Sequence, residues 1–145
     1  GSEMCIRDRD IDGCNGRCQN YSFYPIVRMS NTHILPKDWK FEEMIEDIKE
    51  GIYAQGWVRG YTDPSTGAFM FKCAKANWIK NGEIKDLLRD AAISGDTLTA
   101  LKNIDAIGND LEFSPGHCGK SGQIVPVTDG GPHIRIRNLV IGGLI

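Results

Sequence analysis

Cys118 stands at the centre of Ser114-Pro115-Gly116-His117-Cys118-Gly119-Lys120-Ser121-Gly122-Gln123, the stretch whose residue types point most directly to chemistry. Gly116, Gly119 and Gly122 together predict an open loop in which backbone can approach a ligand. A structural cysteine is normally set in apolar sequence, and this one is flanked by His117 and, two residues on, by Lys120. Basic neighbours suit a thiolate that ligates a metal or attacks an electrophile. The same residues also suit a surface thiol in a tight turn, and spacing alone leaves both readings open.

Other donors do not complete a site. His33, His117 and His133 are the only histidines, and no two are three or four residues apart. No helix can therefore present paired imidazoles, and neither HExxH nor HExxxH occurs. No serine, threonine or cysteine stands in a recognisable arrangement with a base and an orienting acid. The five cysteines, Cys5, Cys14, Cys18, Cys73 and Cys118, are an odd set. Cys14-x-x-x-Cys18 lacks the second Cys or His pair that a tetrahedral zinc site needs. Gly1 to Asp12 is charged and carries no apolar leader segment. The expectation is a cytoplasmic protein with reduced, unpaired thiols.

Composition narrows the function classes. The chain has 145 residues, with 17 Lys plus Arg against 19 Asp plus Glu and a net charge of −2. That balance gives no electrostatic reason to expect a nucleic acid or an anionic membrane as partner. The longest apolar run, Leu139 to Ile145, is far short of the roughly 20 residues of a membrane-spanning helix.

The elements that must position Cys118 read mainly as strands. Residues 1–12 form a polar tail, disordered or artefactual, and residues 13–145 are expected to be one domain. Asp38 is a candidate N-cap for a helix at about 39–50, because Phe41, Met44, Ile45, Ile48 and Ile52 recur at helical spacing. Gly51 is its stop signal. Tyr61 to Gly67 is turn chemistry. Ala68–Ile79 and Glu83–Ser94 should form an antiparallel hairpin around Asn81-Gly82. Thr97–Ile104 is a short helix candidate. Residues 124–127 and 133–137 are β-rich, and Pro126 places its strand at an edge or a strand end. The predicted fold class is α+β, mainly antiparallel β, barrel-like or sandwich-like, with one long and one short helix.

Taken in order along the chain, these motifs resemble the C-terminal domain of the TldD/PmbA family of metalloproteases. Pro25-Ile26-Val27-Arg28-Met29-Ser30-Asn31-Thr32 resembles the family's P-x-x-R-M-x-N-T segment. Asp63-Pro64-Ser65-Thr66-Gly67-Ala68-Phe69 resembles its D-P-x-T-G-x-F turn. Ile104 to Asp110, the Cys118-Gly119-Lys120 loop, Gln123 to Val127, Gly130-Gly131-Pro132-His133-Ile134 and Gly142-Gly143 follow in sequence. The resemblance covers Gly13 to Gly143 and is nearest to the catalytic, TldD-like branch.

The resemblance implies a zinc metallopeptidase that hydrolyses peptide bonds in unfolded proteins or peptides. It implies a zinc ion held by two histidines of a helical HExxxH motif and by one cysteine, which maps onto Cys118. The Glu of that motif, the general base, has no counterpart here, so the chain looks like a C-terminal fragment inactive by itself. Arg28, Asn31 and Thr32 map beside the substrate groove, where an extended peptide could add by main-chain hydrogen bonds. Lys120 could stabilise an oxyanion. A dimer is implied, either of two copies or with a TldE/PmbA-like subunit. The alternative is a non-catalytic module that binds peptide or a partner without cleaving.

Overall fold

The computed structural model describes residues 15–29 and 32–144. They form eleven strands and two helices, with antiparallel pairing between every pair of strands. The mainly antiparallel α+β expectation therefore holds, but the described sheets are open, and none closes into a barrel. Contacts gather the chain into two compact units. The expected tail at 1–12 lies outside the described residues.

The larger unit runs over Pro36–Asp110 and Pro132–Ile145. The other takes the chain up to Leu35 and Leu111–Gly131. In the smaller unit, β1 (Gly16–Arg17) pairs with β2 (Ile26–Val27), and β8 (Glu112–Lys120) pairs with β9 (Gln123–Gly131).

In the larger unit, β3 (Glu50–Thr62), β4 (Ala68–Lys80), β6 (Arg89–Asp96) and β11 (Val140–Leu144) lie in the order β11-β6-β4-β3, and β5 (Glu83–Leu87) also pairs with β4. Cys73, Ala76, Leu88 and Ala91 are buried together, with Ile52, Trp78 and Ile93 packed against them. The small side chains Ala76 and Ala91 let neighbouring strands hold tight contact there. β7 (Ile104–Ile107) pairs with β10 (Ile134–Ile136).

The turns follow local chemistry. Asp63 closes the β3–β4 connection: its Oδ1 accepts from the Ser65 backbone N–H at 2.8 Å and from the Ser65 hydroxyl at 2.6 Å. Asn81 and Gly82 have φ values of 49° and 75°, the left-handed pair that a two-residue hairpin turn requires. The expected second arm splits, however, into β5 and β6, with Leu88 between them donating its N–H to the Ala76 carbonyl.

The long helix is a correction. α1 spans only Phe41–Glu46, and Lys40 rather than Asp38 sits at its N-cap. The Glu43 carboxylate accepts from the Lys40 backbone N–H at 3.1 Å, and Glu42 and Glu43 lie in the first turn, where the helix dipole favours negative charge. The helix stops because the Asn81-Gly82 turn claims the backbone beyond it. Gly82 N–H donates to Ile48 O at 2.9 Å, and Asn81 N–H to Lys49 O at 3.0 Å. Ile52, which had continued the helical spacing, then sits in β3 opposite Trp78. The short helix α2 forms at Thr97–Lys102, capped by Asp96, whose side chain accepts from the Thr99 N–H at 2.9 Å.

Candidate functional site

The stretch expected to be an open loop is a β-hairpin. Cys118 pairs with Val125 and Lys120 with Gln123, and the turn between the strands is Ser121-Gly122. Ser121 and Gly122 have φ values of 50° and 73°, so this turn has the same left-handed pair as Asn81-Gly82. A serine in place of the usual asparagine made it harder to read. Pro126 interrupts little, because a two-stranded hairpin has only edge strands.

Directly opposed residues of a ladder share a face. Cys118 therefore lies on the face of Val125, and Lys120 on the face of Gln123; both Val125 and Gln123 are buried. The Cys118 thiol itself is exposed. His117 is its immediate neighbour along an extended strand, so the imidazole projects from the opposite face. The pair cannot both ligate one ion without breaking the strand.

Arg28 follows β2 directly and is 3% exposed. Its Nη1 donates to the Cys118 carbonyl and its Nη2 to the Gln123 carbonyl, each at 3.0 Å. Lys120 reaches the other way: its Nζ donates to the Val27 carbonyl at 2.7 Å. Both cations bond backbone carbonyls here, Arg28 from a buried position and Lys120 from an exposed one. Thr32 is exposed, and Asn31 lies outside the described residues.

Sequence reasoning missed the amides that hold this arrangement. Gln123 Oε1 accepts from the Gln19 N–H at 3.0 Å, and Gln123 Nε2 donates to Tyr24 O at 3.0 Å. Gln19 Oε1 accepts from the Ile124 N–H at 2.8 Å. The sequence carried no signal for these amides, because polar Gln123 is buried while apolar Ile124 beside it is exposed.

A second cluster in the larger unit also escaped notice. The Asp110 carboxylate accepts from the His133 N–H at 3.0 Å and pairs with His133 Nδ1. His133 Nε2 meets the Tyr53 hydroxyl at 2.8 Å, and Gln55 Nε2 donates to that hydroxyl at 3.0 Å. Phe41 packs on both rings. Desolvation acts to raise the Asp110 carboxyl, but hydrogen bonds from His133 outweigh it and hold the group below its ordinary range. Arg135 and Arg137 both pair with Asp105.

Cys18, Cys73 and Cys118 carry free thiols. Burial pushes the Cys73 thiol up from its usual value, as befits a packing residue. Cys5 and Cys14 lie outside the described residues. Among the described residues, no three His, Cys, Asp or Glu side chains converge as a metal-binding group. Of the described thiols, Cys118 is the exposed one, and a thiolate is among the donor types that zinc accepts. No described helix is long and apolar enough to cross a membrane.

An open antiparallel fold that presents one exposed cysteine on a hairpin clamped by Arg28 and Lys120 holds no complete metal-binding group among its described residues. Residues 11–143 match the model of the PmbA/TldA metallopeptidase C-terminal domain, and the chain belongs to that family. A metalloprotease of Methanothermobacter thermautotrophicus is 50% identical over 119 residues, covering 82% of this chain and 26% of that protein. The zinc metalloprotease TldD homolog of Saccharolobus solfataricus is 40% identical over 131 residues, covering 90% of this chain and 29% of that protein. The crystal structure of TldE from Thermococcus kodakarensis superposes with a TM-score of 0.67 at 20% identity, covering 89% of this chain and 27% of that one, a likeness of fold alone. The chain spans less than a third of the length of each.

Proposed function

We propose that this chain is the C-terminal domain of a cytoplasmic zinc metallopeptidase and supplies one metal ligand, Cys118. The observation that carries the reading is an exposed thiol on a hairpin whose backbone is fixed on both sides of the turn. Relatives named as metalloproteases support the reaction class. A His₂Cys set with an open fourth position is sound catalytic-zinc chemistry, and zinc bound there supplies an activated water. In this reading the two histidines and the glutamate base lie outside this chain, as the family resemblance implies. The chain by itself cleaves nothing.

In this reading the substrate is an unfolded protein or peptide, held in extended form along residues 25–32. Thr32 is exposed in that segment, and Asn31 is assigned to substrate by the family resemblance alone, while Arg28 and Lys120 act by holding the hairpin. The working assembly in this reading is a dimer, with a second copy or with a TldE/PmbA-like subunit, as the family resemblance implies. Free thiols at Cys18, Cys73 and Cys118 suit a reducing compartment.

The test is metal content by elemental analysis of the longer protein, together with cleavage of an unstructured peptide. Cys118→Ala is expected to lose both zinc and cleavage, and Lys120→Ala to keep its zinc. Retention of zinc and activity by Cys118→Ala rejects the ligand assignment.

A further inference from the structure

We infer that Arg28 is a positioning residue for the Cys118 ligand, acting through the Cys118 carbonyl, and that Lys120 closes the same lock from the hairpin side. The inference rests on the reading of Cys118 as a metal ligand. Three observations lead to it.

The first is that the Cys118 thiol is exposed, so packing does not fix its direction. Direction has to come from the backbone. A hydrogen bond to the Cys118 carbonyl fixes the peptide plane that leaves its Cα, and so narrows where the side chain projects.

The second is the unusual position of the charge. Arg28 is 3% exposed and makes no ion pair with a described carboxylate. Among the described residues its Nε has no hydrogen-bond partner. A guanidinium so buried, with no carboxylate paired to it among the described residues, is costly to desolvate. What the guanidinium adds is a rigid planar fork. The fork spans the carbonyls of Cys118 and Gln123, one on each strand beside the Ser121-Gly122 turn. It sets the separation of the two strands where the thiol emerges.

The third is reciprocity. Lys120 Nζ returns from the hairpin to the carbonyl of Val27, the residue next to Arg28. Two adjacent residues of the β2 segment are thereby tied to the hairpin by opposed donors, which resists sliding as well as opening.

The experiment uses cobalt in place of zinc in the full-length protein that contains this domain. A cobalt–thiolate bond gives a near-ultraviolet charge-transfer band that reports the Cys118 contact directly, without reference to activity. Arg28→Met is expected to keep its far-ultraviolet dichroism, to lose most of that band and to weaken cobalt binding roughly 10- to 100-fold, the usual cost of removing a group that orients a metal ligand. Arg28→Lys keeps a donor without the fork and should recover part of the band. Lys120→Met should shift the affinity in the same direction by less. Where Arg28→Met fails to fold, Arg28→Lys and Lys120→Met carry the decision. A wild-type band and affinity in Arg28→Met, or in both other variants, overturns the positioning role. Cys118→Ser separates the two ideas: a thiolate band that survives it sinks the ligand reading, whereas a band lost there but intact in the arginine variants sinks only this inference.

Discussion

The Arg28 guanidinium and the Cys118 carbonyl are 3.0 Å apart, joining a buried cation to the backbone of an exposed thiol. The same cation holds the Gln123 carbonyl across the turn. Gln123 in turn reaches Gln19 and Tyr24 through its side chain. The hairpin is therefore fixed by polar groups as much as by Val125, its one fully covered aliphatic residue. Such a network is stiff when complete and unstable when any member is removed.

Gln123→Leu tests that dependence. The substitution leaves the Gln19 N–H and the Tyr24 carbonyl without their partners. Gln19 and Tyr24 are both exposed, so water can take over part of the lost bonding, and the expected cost is about 1–2 kcal/mol. Amide hydrogen exchange in Glu112–Lys120 and Gln123–Gly131 should quicken markedly, and exchange in β4 should not. Unchanged protection of the hairpin would show that side-chain packing alone holds it.

Gly130 and Gly131 make a matched pair for a second test. A Cβ on Gly130 would fall 2.1 Å from the Glu112 carbonyl oxygen and 2.8 Å from the Phe113 Cα. Both are backbone atoms of the paired strand and cannot step aside. Gly130→Ala is expected to cost about 3 kcal/mol or to break the end of the β8–β9 ladder. Nothing lies within 4 Å of the corresponding position on Gly131, so Gly131→Ala should change stability by less than about 0.5 kcal/mol. Urea denaturation of the two variants side by side gives the answer.

The contrast between these glycines shows which parts of the fold the sequence revealed. Asn81-Gly82 and Asp63-Pro64-Ser65-Thr66-Gly67 announce themselves because their turns depend on their own side chains and φ angles. The α1 boundary did not, because Ile48 and Lys49 give their carbonyls to a turn more than thirty residues away. The helical spacing that runs on to Ile48 and Ile52 was genuine, but Ile48 lies in the connection after the helix and Ile52 serves a strand. Cys118 was visible from its neighbours. Its support was not: Arg28 and Gln19 are about a hundred residues away along the chain, and only folding brings them to the hairpin. A polar residue destined for burial looks like any surface residue until its partners are known.

The Asp110–His133–Tyr53 cluster should behave as one energetic unit. Asp110 accepts twice from residue 133, and His133 meets the Tyr53 hydroxyl. Tyr53→Phe alone should cost about 1 kcal/mol and Asp110→Asn about 1–2 kcal/mol. Because both act through one imidazole, the double variant should cost less than the sum by at least about 0.5 kcal/mol. Strict additivity in urea denaturation would mean that His133 transmits nothing between them.

Asp105 supplies a pH signature. The Arg135 side chain is the main cause that holds its carboxyl below the usual carboxylate range, opposed by some desolvation and helped by Arg137. Arg135 is well covered, and it also donates to Asp47 at 2.5 Å and to the Met44 carbonyl at 2.8 Å. A carboxyl whose folded value is depressed adds stability above its unfolded value, near 4, and loses that stability as pH falls through the folded value. At pH 7, Asp105→Asn should therefore be less stable than the parent by about 1–2 kcal/mol, the scale of a charge-assisted pair that is not fully exposed. The gap should persist down to about pH 4, narrow below it and close at the acid end, because the parent's carboxyl is then protonated and pairs no better than the amide. Chemical denaturation midpoints taken across that range decide the matter. A gap of constant size at every pH would assign the effect to packing, and no gap at pH 7 would mean that Arg135 is held by Asp47 and the Met44 carbonyl without Asp105.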